Sequence, residues 1–339
     1  MSELLPFTNA ALQATIDQTA ANGGGVVEVA AGIYQLSDAI HLRSGVRIVG
    51  EKGTIFRKNP SVSSVISDYL GYGHYEVMVE EPEKFEVGMG IFVSDHTANY
   101  FFSTTATILE KRGNALIIDR MLNSDIYPDN EATASTLFSL VSCIDIHDAS
   151  IENIVLEGDI DETLILNGCR GGGVFLLNSQ RVRIENIEVR HFNGDAISFQ
   201  QCIDVAVKGC DLHHNQGSGL HPGSGSVRYV FERNHVHQNT STGLFYCLRT
   251  SHSRCENNLF EDNGGAGISI GERDTNHLIR GNTIRGNGGA GVLFRQPLRN
   301  GGDMVRLEHN QIGPNCTHSS HVGAEIVIGS GLRDIYCAS

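Results

Sequence analysis

The chain has 339 residues, 39 of them acidic against 25 basic, for a formal charge of −14. So acidic a surface argues against nucleic acid or an anionic membrane as partner, because both require a basic face. No stretch reaches the roughly 18 consecutive apolar residues of a membrane span, and the opening MSELLPFTNAALQATIDQ lacks the basic start and apolar run of a secretory signal, so the sequence as written reads as cytoplasmic.

In chain order, residues 8–21 predict a helix, with Thr8 or Asn9 as cap and Ala11, Leu12, Ile16 and Ala20 at helical spacing. Such a helix would cover the open end of whatever follows. Next come GGGVVEVAAGIYQL and GVRIVG, two glycine-punctuated strand segments with Val26, Val27, Val29, Ile33, Val46 and Ile48 expected inside. Residues 77–138 break this rhythm: EKFEVGMGIFVSDH and TATILEKRGNALIIDRML alternate like antiparallel strands, joined at Arg112 to Asn114 by a tight turn. They predict a small inserted β flap, with Asp95, His96 and Tyr100 at its tip.

From Val141 to the end the chain repeats. Strands start at Val174, Ile197, Leu220, Leu244, Ile268 and Val292, at separations of 23, 23, 24, 24 and 24 residues. A fixed period of this size marks a solenoid, in which each coil buries its apolar face only against its neighbours. A second strand per coil is anchored at Ile184, Val207, Phe231, Cys255, Ile279 and Leu307, and a third at Val189, Leu212, Val236, Phe260, Ile284 and Ile312. Three parallel strands per turn predict three long parallel sheets. Asparagines recur at 234, 258, 282 and 310, and at 215, 239, 263, 287 and 315, as expected of side-chain amides stacked inward at turns. The spacing stretches between Ile151 and Ile184, through EGDIDETLILNGCRGGG, and insertions in a solenoid tend to gather on a binding face.

The helix, GGGVVEVAAGIY, the inserted flap and the period of about 24 together resemble the right-handed parallel β-helix proteins of the pectate-lyase-like superfamily, over nearly the whole chain. The resemblance implies an all-β, single-stranded parallel β-helix forming one domain over 1–339, with capping helix 8–21, inserted flap 77–138 and regular coils 141–339. It implies a carbohydrate ligand without fixing an activity, since the superfamily holds lyases, glycoside hydrolases, sugar epimerases, transglycosylases and tailspike adhesins. The paired DD that follows NTD in polygalacturonase-like hydrolases is replaced here by QGSG at 216–219. The DPH signature of alginate epimerases is absent, and so is the tryptophan of many pectate lyases.

Strand alternation points Phe175, Ser198, His221, Phe245, Ser269 and Leu293 outward on the first sheet, with Leu177, Gln200, Gly223, Cys247, Gly271 and Arg295 two residues on. Gly223 and Gly271 predict a shallow floor. Phe245 suits a sugar ring, and Gln200, Arg249, Arg273 and Arg295 suit its polar groups. His213 and His237 fall on another face, in line with Arg190, Glu261 and Arg285. Coils about 4.8 Å apart separate Asp195 from Glu272 too far for glycosidase carboxyls ~5 to 9.5 Å apart. Two patches therefore compete: Asp159, Asp161, Asp195 and His221 in one, Glu272, Arg273 and Asp274 with Arg249 and Arg295 in the other.

The leading expectation is a glycoside-hydrolase-like enzyme cleaving an oligo- or polysaccharide in the first-sheet groove, with Asp195, Asp161, Glu272, Asp274 and His221 as acid–base candidates. The alternatives are a lyase or epimerase acting on a uronate through His221 and an arginine, and a non-catalytic glycan-binding protein. Eight cysteines, at 143, 169, 202, 210, 247, 255, 316 and 337, form no CxxC pair and read as reduced core thiols. With no HExxH and no Cys/His finger spacing, neither metal nor cofactor is expected. The tail IVIGSGLRDIYCAS offers no capping helix, which leaves a last coil for a second copy of the chain to cover.

Overall fold

A computed structural model describes residues 9–161, 163–296, 301–318, 325–330 and 332–338. Among these, three parallel sheets of ten, nine and nine strands run the length of the molecule, and a six-stranded antiparallel sheet stands beside them. No described helix is long and apolar enough to cross a membrane. The predicted strand anchors pair coil to coil in register: Ile184 with Val207 and Val207 with Phe231 in one sheet, Val189 with Leu212 and Leu212 with Val236 in another. All of these are buried, so each coil contributes apolar side chains to one continuous core.

Helix Asn9–Ala21 closes the first end, burying Leu12 and Ile16 against it. Thr8 lies outside the described residues. The Asn9 amide instead ties the helix to the first coil, donating to the Asp38 carbonyl and accepting from the Ser37 N–H. In the strand Gly25–Val29 only Val27 and Val29 face in, and Val26 and Ile33, expected inside, are half exposed. Period-2 alternation permits one face of GVVEV to enter the core, so Val27 and Val29 go in and Val26 does not.

The asparagines stack as expected. In each ladder the amide Nδ2 and the backbone N–H both donate to the Oδ1 of the next coil, as from Asn234 to Asn258 and from Asn258 to Asn282, at 2.9 Å each. The second ladder ends on Glu325, whose carboxylate accepts from Asn315.

The flap occupies Ser63–Val65 through Thr133–Ser135 and starts before the expected residue 77. Its longest hairpin pairs Ser103–Arg112 with Ala115–Ile118 across a two-residue turn at Gly113 and Asn114. The flap carries its own core, including Val77, Phe85, Ile91 and Leu116. It therefore stands as a small layered unit leaning on the solenoid, where Thr107 donates to Asp38.

Candidate active site

The outward column of the first sheet is built as the strand period predicts. Phe175 is paired with Ser198 and Ser198 with His221, while Gln200 stands beside Gly223. The column is not an open groove, however. Ser198, His221 and Ser269 are buried, and Phe245 is half-buried. The long loop after Glu157 folds back over the sheet and roofs it.

Local sequence explains the roof. Asn167 accepts the Cys169 N–H on its side chain and the Arg170 N–H on its carbonyl, which curls NGCR into a tight turn. Gly168 lies directly over the sheet, where a β-carbon would overlap Asp195 Oδ2 and His221 Nδ1, so only glycine fits. Its carbonyl accepts from Ser198 Oγ at 2.5 Å and from Gln200 Nε2 at 3.3 Å. Arg170 continues across to the flap, with Nε on the Phe101 carbonyl at 2.8 Å and the guanidinium 4.5 Å from the Phe101 ring.

Beneath this roof Asp195 and His221 meet. His221 Nδ1 lies 2.6 Å from Asp195 Oδ2, and the other carboxylate oxygen accepts the Ser218 N–H at 2.5 Å. Burial alone would lower the imidazole, but the adjacent Asp195 carboxylate overrides it and the group is raised to about 9. Phe245 stands edge-on to the ring at 5.1 Å. Nε2 is buried with no oxygen or nitrogen partner, and the sulfurs of Cys169 and Cys247 lie within 4.8 Å of each other and of a His221 ring nitrogen. The Cys247 thiol is pushed up chiefly by its neighbour Cys169, whose own thiol is drawn down to about 5 by Cys247 first and then His221.

Cys169 is the member of this group that opens onto a cleft of about 350 Å³ between flap, loop and sheet. Phe101, Arg120 and Asn123 of the flap line it, with Arg170 of the loop and Phe175 and Gln200 of the sheet. Gln201 and Ser224 close its far side. The Gln200 side-chain oxygen Oε1 is buried there without a partner.

Other residues expected at the site are engaged elsewhere. Asp161 caps its own turn through Thr163, and Asp159 accepts the Ser61 N–H beside Lys58. Asp274 is fully buried and accepts from the Thr250 N–H, the Thr250 hydroxyl and the Gly271 N–H, which makes it the clasp of a turn. Glu272 stands 3.5 Å from Arg273 in that same turn, and Arg249 is exposed. Arg295 spends its guanidinium on Ser269 and on the Tyr246 and Cys247 carbonyls, 4.2 Å from the Phe245 ring. Phe245 is thus packed between His221 and Arg295 and does not stand free as a platform for a sugar ring. The shallow floor is also filled, by Gln200 above Gly223 and Arg295 above Gly271.

Cys169, Arg170 and Arg120 were not singled out from the sequence. Loop and flap lie outside the repeat, so no period placed them over the sheet. The glycine run after Cys169 was the available signal, since it marks backbone that must pass close to other atoms.

A family model described as a right-handed β-helix region matches residues 162–312. No curated protein matches the chain by sequence. Among solved structures, the A-module of the Azotobacter vinelandii mannuronan C-5 epimerase AlgE6 is similar at 18% identity and a TM-score of 0.59, over 94% of this chain and 74% of that one. The A-module of AlgE4 from the same organism gives 16% and 0.56, over 98% and 91%. A structure titled glycoside hydrolase gives 10% and 0.58, over 98% and 92%. At such identities the likeness concerns the fold, and by its fold the chain is a right-handed parallel β-helix.

Proposed function

We propose that the protein is a carbohydrate-active enzyme that works on an acidic sugar polymer in the cleft between flap and first sheet, as a uronate lyase or C-5 epimerase. The observation that carries this reading is the juxtaposition of the fixed Asp195–His221 pair with a cleft bearing Arg120 and Arg170. Removing the proton beside a uronate carboxylate requires a cation on that carboxylate and a proton acceptor close to the carbon. The two arginines supply the first. The second falls to the group behind the cleft wall, where the His221 ring, fixed by Asp195 and buried, reaches the cleft only through the Cys169 thiol that lines it.

Hydrolysis by two carboxyls has less support. Asp195 is committed to His221, and Asp161, Glu272 and Asp274 are engaged outside the cleft. Mannuronan C-5 epimerase modules share the fold, which puts uronate chemistry within the repertoire of such a scaffold. Gln200 lines the cleft, and its side-chain Oε1, which has no partner within the protein, is available to a sugar hydroxyl.

The test is incubation with mannuronan and with polygalacturonate in D2O. Deuterium at C5, or unsaturated ends absorbing in the ultraviolet, is the expected product. New reducing ends without either would mean hydrolysis and would overturn the reading. Arg170→Ala and Arg120→Ala should each weaken kcat/KM by about 10- to 100-fold, as for a lost charge-assisted hydrogen bond.

A further inference from the structure

We propose that Cys169, His221 and Cys247 form a zinc site whose fourth position opens onto the cleft. The metal site itself rests on these three side chains alone. The role given to it below rests on the uronate reading.

Two sulfurs and an imidazole nitrogen converge within 4.8 Å of one another. Tetrahedral zinc, with Zn–S of about 2.3 Å and Zn–N of about 2.0–2.1 Å, sets its ligand atoms about 3.5–3.8 Å apart. Small side-chain rotations close the difference. The geometry is also prepared on the far side of the imidazole. Ligating histidines characteristically hand their second ring nitrogen to a carboxylate, which fixes tautomer and orientation. His221 Nδ1 does this with Asp195 at 2.6 Å, and Asp195 is itself held by the Ser218 N–H.

His221 Nε2 supplies a second, independent observation. It is buried, on a side chain only 8% exposed, with no oxygen or nitrogen partner and the Cys169 thiol as its neighbour, so a cation seated between the two would replace only a weak thiol contact. The ligands come from the roofing loop, from the strand Leu220–Gly223 of the first sheet and from the segment just past the strand Leu244–Phe245 on the next coil. Leu220 and Leu244 are paired neighbours in that sheet, so the solenoid itself sets His221 and Cys247 on adjacent coils. The spacing is invisible as a linear motif because it is written in coils.

Two thiolates, a neutral imidazole and Zn²⁺ make a neutral centre. Three protein ligands with an open fourth position match catalytic rather than structural zinc. Cys169 lines the cleft, so the open position faces a bound sugar. There the metal would polarise a uronate carboxylate oxygen as a Lewis acid, while Arg120 and Arg170 supply the net positive charge.

A different cluster, Asp211, His213 and His237 on the outer face, also brings three ligand atoms within 4.8 Å. Its ring nitrogens are already engaged: His213 with Glu188 and His214, His237 with Asp211 and Gln238. It therefore serves as the control.

The experiment is titration of the reduced, metal-free full chain with Zn²⁺, and in parallel with Co²⁺ as a spectroscopic probe. One equivalent should bind, and cobalt should show thiolate charge-transfer and the intense visible bands of a tetrahedral ion. Cys169→Ser and Cys247→Ser should each weaken binding by at least about 100-fold, and Asp195→Asn by about 10- to 100-fold, all with unchanged far-ultraviolet circular dichroism. His213→Ala/His237→Ala should leave binding intact. Overturning results are an octahedral cobalt spectrum, loss of binding in the histidine double variant but not in the cysteine variants, or a reduced protein that binds no metal. Should either cysteine variant misfold, the cobalt spectrum of the unaltered protein still decides. Metal binding without uronate turnover would sink the functional reading and leave the site standing.

Discussion

Two histidines are buried among the described residues, and their surroundings drive them in opposite directions. His221 has Asp195 beside it and is raised. His277 has no carboxylate in hydrogen-bond contact: Ser253 Oγ lies 2.7 Å from Nδ1 and Tyr246 packs on the ring at 4.4 Å. Burial first, and then the His252 charge, lower it to about 3. Its folded value thus lies below its ordinary 6.5. Above pH 6.5 neither state protonates it, but below that the unfolded chain takes a proton that the folded chain refuses until about pH 3. Stability should therefore fall between pH 6.5 and 3 with a slope approaching about 1.4 kcal/mol per pH unit from this group alone. Urea unfolding at several pH values checks this: His277→Gln should lower stability at pH 7 yet flatten the acid slope, and an unaltered slope would refute the assignment. Strand alternation made the outward position of His221 legible, but not its burial. The roof comes from a loop with no repeat to place it, and Cys169 stayed hidden for the same reason. Asp274 shows the converse, since charge in a turn reads as surface in a sequence until Thr250 and Gly271 are seen to enclose it.

At the scale of the element, the asparagine ladders were legible because amides recurring every 24 residues, and 28 at the last step of each ladder, fall at the same turn of successive coils and stack. Asn258 shows what each rung does. Its Nδ2 donates to the Phe231 carbonyl and to Asn282 Oδ1, and its Oδ1 accepts both the backbone and side-chain N–H of Asn234. Truncation strands buried groups on the two neighbouring coils, each costing about 1–3 kcal/mol when left unpaired, with partial relief as water enters. Asn258→Ala should thus destabilise the protein by about 3 kcal/mol, read as a lower urea midpoint. Asn257→Ala, one residue away at an exposed turn position of positive φ, removes none of these ladder bonds and should cost far less. Equal losses would mean that the ladder contributes only turn geometry. The flap was less legible at this scale. Its antiparallel alternation was visible from residue 77, but Ser63–Val65 is too short to carry a pattern and joins the sheet only by pairing with Thr133–Ser135.

For the whole molecule the governing quantity is charge. A chain of formal charge −14 acting on a polyanion works against its own field, and only the arginines in the cleft attract. The two effects differ in range. Repulsion between an acidic protein and an acidic polymer acts over the Debye length, about 30 Å at 0.01 M salt and about 8 Å at 0.15 M. Contacts of Arg120 and Arg170 with a bound carboxylate act at hydrogen-bond distance in a half-enclosed cleft, where salt screens much less. Raising the salt from 10 to 150 mM should therefore increase kcat/KM on a uronate polymer, by roughly three- to tenfold as an association-rate effect. The same change should affect a short uronate oligomer, which carries few of the polymer's charges, much less. Steady-state rates across a sodium chloride series measure both. A monotonic fall on the polymer would mean that attraction at the cleft outweighs the field of the whole chain, and an equal rise on polymer and oligomer would move the cause from charge to the protein itself.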